Sequence, residues 1–508
     1  MEQVPWWQSA VVYQIYPRSF ADADGDGVGD LQGIRSRLDY LQWLGVEVIW
    51  LSPVFRSPMA DFGYDVSDFC DIDPIFGTLA DMDELIADCH GRGMRLMLDW
   101  VPNHTSDQHP WFHESRSNRT NPKADWYVWR DEPANNWLCS FTNGASAWDF
   151  DERRGQWYLH CFLPQQPDLN WDNPDVELAM HDTLRFWLDR GVDGFRMDVV
   201  HLIGKQLDQD DAPGAIKRGY PHVPFNDVPV THERLRGIRK VLDSYNGDRA
   251  SVGEVYLLDE AKMAAYYGDH DELHLSFNFS FLWATWDAAG LRAKISNTLG
   301  HLEPLGAWPT WVLSNHDVPR HRQRYGGSEH VARLAAVMLL TLRGTPFLFQ
   351  GEELGLVDAV VPEAQRLDPG GRDGCRAPLP WTPDAAHGWP GTPWLPFAPE
   401  PDVRNVASMQ RDPASILHLY RDLLGLRRGH AALQSGTLEM LETGDHVLAY
   451  RRCAGSQRIV VAINMGHEPL AVSALAGATL LISTAGATTP ATTTGIIAAQ
   501  EAVVALLA

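Results

Sequence analysis

The sequence predicts an α/β protein: a (β/α)8 barrel (a TIM barrel) with a small domain inserted after its third strand and an antiparallel β-sandwich at its C-terminal end. Three observations lead there. Eight short apolar segments, at residues 11–15, 46–51, 95–100, 194–198, 251–254, 275–279, 311–314 and 347–350, alternate with helical patterns. Such alternation argues for parallel pairing, and eight is the number that closes a barrel. Between the third strand and the helix before the fourth, residues 104–171 are too many for a structureless connection, so they carry structure of their own. Beyond residue 429 the pattern changes to short alternating runs such as His446-Val447-Leu448-Ala449-Tyr450, as in antiparallel strands with one buried face.

These elements divide the chain into a first barrel part (1–103), the insert (104–171), a second barrel part (172–429) with a long loop after the eighth strand near 355–410, and the sandwich (430–508). The Thr/Ala/Gly-rich tract at 485–495 reads as a hairpin or long loop inside the sandwich. A chain of 508 residues with 44% hydrophobic content suits a buried core of enzyme size. Its formal charge of −24 opposes nucleic acid and anionic membrane as partners. Six cysteines lack C-x-x-C spacing, the stretch from Met1 to Trp7 lacks a basic segment followed by an apolar one, and no apolar run reaches roughly 18 residues. A cytoplasmic protein with free thiols, a monomer or small homo-oligomer, is expected.

Chemistry in such barrels sits at the C-terminal ends of strands, and Asp99, Asp198, Glu254 and Asp317 all fall there. Arg196 and Asp198 are two apart on a strand and share a face, so the guanidinium is expected to keep Asp198 ionised. Taken alone, that pair would be an ordinary structural ion pair. Just after the first strand, Asp22-Ala23-Asp24-Gly25-Asp26-Gly27-Val28-Gly29-Asp30 sets oxygen donors at every second position, as a tight loop does around a hard cation. It opens like an EF-hand loop and departs at the twelfth position, Gly33 in place of Glu. The expected ligands are Asp22, Asp24, Asp26, Val28 and Asp30, around a structural Ca2+ or Mg2+. A solvated acidic turn is the alternative, and no organic cofactor is expected.

Four segments, Asp99-Trp100-Val101-Pro102-Asn103-His104, Gly194 to Asp198, Ser251-Val252-Gly253-Glu254 and Leu313-Ser314-Asn315-His316-Asp317, together resemble the four short motifs of the α-amylase superfamily of glycoside hydrolases, in the same order. The resemblance implies a retaining mechanism in which Asp198 is the nucleophile, Glu254 the acid/base and Asp317 the third acid gripping sugar hydroxyls. It also implies that His104 and His316 hydrogen-bond the same sugar. Asp61-Phe62-Gly63-Tyr64-Asp65 resembles a further family stretch, in which Tyr64 would stack on the sugar and Asp61 would hold its non-reducing end, closing the pocket for exo action. An Arg after the eighth strand often joins that aspartate, and Arg404 is the candidate. Gln166-Pro167-Asp168-Leu169-Asn170 is similar to the signature of the α-glucosidase and oligo-1,6-glucosidase branch. Residues 371–381 resemble a stretch over the aglycone side shared with trehalose- and sucrose-converting enzymes. His201-Leu202 stands where amylases carry Lys-His, and Val199 leans toward α-1,6 bonds, whereas residues 253–258 look like broad α-glucosidases. The expectation is a retaining exo-α-glucosidase acting on short oligosaccharides of maltose or isomaltose type. The alternatives are a transglucosidase or disaccharide isomerase and, remotely, a non-catalytic scaffold.

Overall fold

A computed structural model describes residues 4–141, 144–210, 227–486 and 491–508. Met1 to Gln3 of the N-terminal stretch, and residues 487–490 of the Thr/Ala/Gly-rich tract, lie outside the described residues. Eight barrel strands are present: β1 Val12–Ile15, β2 Val48–Leu51, β3 Arg95–Trp100, β4 Gly194–Met197, β5 Ala250–Gly253, β6 Leu275–Ser276, β7 Thr310–Val312 and β8 Thr345–Phe349. They pair in the order β6-β5-β4-β3-β2-β1-β8-β7, every pair parallel. At the seam the Thr310 hydroxyl donates to the Ser276 carbonyl at 2.6 Å.

The pleat sorts the side chains. Val12, Val48, Trp50, Met97, Val252, Val312 and Phe347 pack together in the barrel interior, whereas Tyr13, Ile49, Leu51, Leu96, Leu98 and Phe195 join the larger core beneath the helices. Both faces are therefore apolar, which is why these strands read as unbroken hydrophobic runs. The sixth strand is shorter than expected. Asn278 turns the chain out of the sheet by accepting a hydrogen bond from Phe281 N, as the cap of a helix at Phe279–Leu282.

Within 104–171 a three-stranded antiparallel sheet of Trp129–Arg130, Gln156–Leu159 and Trp148–Asp151 forms, and single bridges His104–Asp168 and Tyr127–Leu169 tie the segment back to the end of β3. The C-terminal part is a six-stranded antiparallel sheet with a two-stranded sheet of Leu470–Ala471 and Ile496–Ile497. Val447, Val460, Val472, Leu475, Ile497 and Val503 fill the space between them. The other face meets the barrel helix Glu329–Thr341, where Arg452 Nη1 donates to the Thr341 carbonyl at 2.6 Å. Among the described residues no helix is long and apolar enough to cross a membrane.

Candidate active site

At the C-terminal end of the barrel, Asp61, Tyr64, His104, Phe141, Phe162, Asp198, Val199, Glu254, Asp317 and Arg372 line one cavity. A larger cavity of about 490 Å³ shares Asp317 and Arg372 with it and runs along parts of 358–375. The sheet ladder delivers the acids. Asp198 N donates to the Trp100 carbonyl at 2.9 Å and Glu254 N to the Met197 carbonyl at 2.8 Å, so each carboxylate stands one residue past its strand. Val199 then takes a left-handed conformation, φ 36°, uncommon for a β-branched residue. This turn brings Val199 N to 3.4 Å from Glu254 Oε2 and its side chain against Phe162 and Leu202.

Arg196 is the hub. Its Nη1 donates to Asp99 Oδ1 and to Asp198 Oδ1, both at 2.7 Å, and its Nη2 to Glu254. The guanidinium also lies 5.5 Å from the Trp50 ring and 5.6 Å from that of Tyr64. Asp198 and Glu254 thus share one guanidinium, and Glu254 is among the influences that raise Asp198, after burial.

Here the sequence expectation needs correction. Arg196 does pull Asp198 toward ionisation, but burial pushes its carboxyl well above the usual range, helped by the charges of Glu254 and Asp99. One cation is divided among three carboxyls, so its hold on each is weakened. Asp99 is likewise pushed up by burial, to about 7, against the pull of Arg196. Replacing Asp99 by Asn should therefore lower the pKa of Asp198 by removing a like charge. The acid limb of kcat/KM, which reports the free enzyme, is expected to move about a unit or more to lower pH. An unmoved or raised limb in the pH profile would contradict this electrostatic account.

A second network closes the other side. Arg372 Nη2 donates to Asp61 Oδ1 and to Asp368 Oδ1, both at 2.6 Å, and its Nη1 to Asp317 Oδ1 at 2.9 Å. Arg376 Nη2 adds a bond to Asp317 Oδ1 at 3.3 Å. Burial works to raise Asp317, but His316 and these guanidiniums hold it far below the usual carboxylate range. Arg404, the expected partner of Asp61, is elsewhere: its guanidinium pairs with Glu400 and Glu329 and donates to the Leu354 carbonyl. Arg372 takes that place.

The two histidines differ. His104 borders the cavity, whereas His316 is fully buried behind it, its Nδ1 2.7 Å from Gln14 Nε2 and its Nε2 engaged with the Tyr64 hydroxyl. Tyr64 stacks on His316 at 5.4 Å and 5° and lines the cavity. Gln166, the first residue of the Q-P-D-L-N stretch, donates to Asp61 Oδ2 at 3.2 Å and so links the insert to that wall.

In the acidic loop, Asp22, Asp24 and Asp30 bring one oxygen each within 4.8 Å of one another. Three hard oxygen donors at that spacing fit Ca2+ or Mg2+. Asp26 does not join them. Like Asp24 it is exposed, and its Oδ1 accepts from Val28 N at 2.7 Å; Gly25 and Gly27 on either side take φ of 89° and 90°. Gly33 replaces a closing Glu for a steric reason: a Cβ there would lie 2.0 Å from the Ala21 carbonyl. Asp30 accepts from Gly33 N at 2.6 Å and caps the helix Leu31–Ser36.

Paired carboxyls at the C-terminal end of a barrel are the arrangement a glycoside hydrolase needs. The comparisons agree. Residues 14–436 match the model of the alpha-amylase catalytic domain, and 437–504 match a domain of unknown function. The chain is 43% identical to a probable α-glucosidase of Rhizobium meliloti (strain 1021), over 91% of this chain and 90% of the relative. It is 39% identical to an oligo-1,6-glucosidase of Parageobacillus thermoglucosidasius, over 92% of each. An α-glucosyl transfer enzyme, XgtA, superposes with a TM-score of 0.91 at 41% identity, over 99% of this chain and 100% of that one. The trehalulose synthase MutB of Pseudomonas mesoacidophila MX-45 gives 0.92 at 33% identity, with the same coverage. The chain belongs to the α-amylase family of glycoside hydrolases.

Proposed function

We propose that this protein is a retaining, exo-acting α-glucosidase that releases glucose from short oligosaccharides of maltose or isomaltose type. Asp198 attacks the anomeric carbon while Glu254 gives its proton to the leaving glycosidic oxygen. Glu254 then takes a proton from water, and the hydroxide so formed displaces Asp198 from the covalent glucosyl intermediate. Asp317 binds sugar hydroxyls that strengthen their bonds in the distorted transition state. The observation that carries the reading is the pairing of Asp198 and Glu254 with one guanidinium, with an Asp61–Arg372 bridge in the wall of the same cavity that would close off a sugar's non-reducing end. Initial rates on maltose, isomaltose, sucrose and trehalose, with free glucose measured alongside, test it. Mostly isomerised sugar with little glucose would favour the second reading, a transglucosidase or disaccharide isomerase, which the likeness to XgtA and MutB supports.

Asp22, Asp24 and Asp30 would hold a structural divalent cation, Ca2+ or Mg2+. Removing it by chelation is expected to lower Tm by a few degrees while kcat at 25 °C changes less than about twofold, because the ion would stabilise only the folded state. Equal loss of both on a melting curve and in the assay would mark a catalytic ion instead. A cytoplasmic setting is part of the proposal, and no disulfide joins the six cysteines.

A further inference from the structure

Arg18 is a buried cation held by rings. It stands just beyond β1, in a one-turn 3-10 helix at Pro17–Ser19, and is 9% exposed. Its Nε and Nη1 are buried and have no hydrogen-bond partner among the described residues. What the guanidinium meets is aromatic: its carbon lies 5.2 Å from the centre of the Phe62 ring and 4.9 Å from that of Trp394. A cation shut away from water gains more from ring faces than one in solvent, so both contacts count. The two rings also touch each other, 5.4 Å apart and tilted by 44°, and the cation covers the corner they make. Trp394 is fixed independently, its Nε1 donating to Ser19 Oγ at 2.9 Å and its N to the Gly27 carbonyl at 3.0 Å. Phe62 is the ring that needs holding.

Its φ is 47° and that of Gly63 is 107°, and these are the two central residues of a turn closed by Tyr64 N donating to the Asp61 carbonyl at 3.1 Å. A turn with positive φ at both central positions favours Asn, Asp or Gly, because a bulky side chain is strained there. The ends of this turn are Asp61, whose Oδ1 accepts from Arg372, and Tyr64, and both line the cavity. We propose that Arg18 is a positioning residue for sugar binding: by its grip on the Phe62 ring it holds the Asp61–Tyr64 turn in its left-handed form, and so sets both residues against the non-reducing end of a glucoside. The inference rests on the proposed function, in which Asp61 and Tyr64 meet that sugar. Arg18 itself is not among the residues that line the cavity, so its effect reaches the sugar only through the turn.

Four variants test this. Arg18→Met keeps an apolar stem and removes the charge, and Phe62→Leu keeps bulk and removes the ring face. In each, KM for p-nitrophenyl α-glucoside should rise about tenfold while kcat changes less than about twofold, the mark of weakened binding common to ground and transition states. Arg18→Lys leaves a cation over the rings and should stay within about threefold of wild type. Phe62→Asn gives the turn a residue that takes positive φ unaided, so adding Arg18→Met to it should raise KM less than about twofold further. Calorimetry with p-nitrophenyl α-1-thioglucoside, a neutral analogue that resists hydrolysis, should give the same ranking in Kd without turnover. KM and Kd within twofold of wild type in Arg18→Met or in Phe62→Leu would overturn the proposal. So would a full rise from Arg18→Met in the Phe62→Asn background, because the cation would then act by another route. A wild type that binds the thioglucoside but cleaves no α-glucoside would refute the glucosidase reading, and the Kd ranking would still decide for or against Arg18.

Discussion

Asp198→Ala is expected to lower kcat on an aryl α-glucoside by roughly 10⁴- to 10⁶-fold, the scale of losing a covalent nucleophile. Stability should move the other way or not at all. A carboxyl raised on folding binds its proton more tightly in the native state than in the unfolded one. Native stability therefore falls as pH climbs from the unfolded value, about 3.9, through the folded value. Removing the group abolishes that loss, so Tm at pH 7 should be unchanged or higher in a thermal melt. Azide, small enough for the space left by the carboxyl, should restore part of the turnover and give the β-glucosyl azide, inverted at C1. An ordinary rate in Asp198→Ala, or an α-azide product, would end the assignment of Asp198 as nucleophile.

The second large effect is expected at Arg372. This guanidinium serves Asp61, Asp317 and Asp368 at once, and its side chain is 10% exposed. Arg372→Met leaves three largely buried carboxyls short of a partner, a defect of about 3–5 kcal/mol where a buried pair is broken. Both readouts should respond: Tm drops by several degrees, and kcat/KM falls by about 10²-fold or more as Asp61 and Asp317 lose their setting. Arg404→Met is the contrast. Its partners Glu400 and Glu329 lie outside the cavity wall, so kcat/KM should stay within about threefold. The opposite ranking in steady-state kinetics would restore Arg404 to the pocket.

That contrast also shows where sequence reasoning reaches and where it stops. Eight strands were legible because a barrel strand buried on both faces is a plain apolar run, and the acids were legible because they close those runs. Arg372 sits in a loop without periodicity, and its meeting with Asp61, far away in the chain, is settled only when the barrel closes. The stretch containing it resembles an aglycone loop, yet nothing local says that Arg372 rather than Arg376 reaches Asp61. Asp26 illustrates another limit: alternate spacing names candidate ligands, but which oxygens converge depends on how the loop winds through Gly25 and Gly27. The ionisation of Asp198 could be judged from one neighbouring Arg only by ignoring Asp99 and Glu254, which the fold, not the spacing, brings to the same cation.

Carboxyls outnumber guanidiniums around the cavity, with Asp61, Asp99, Asp198, Glu254, Asp317 and Asp368 against Arg196, Arg372 and Arg376. This surplus should draw small organic ammonium compounds into the pit, because their hydroxyls and positive nitrogen together imitate the charge that builds on a sugar ring as its bond breaks. Amine buffers and basic sugar mimics would accordingly compete with substrate, more strongly once their nitrogen is protonated, and the choice of buffer becomes part of any rate constant measured on this enzyme.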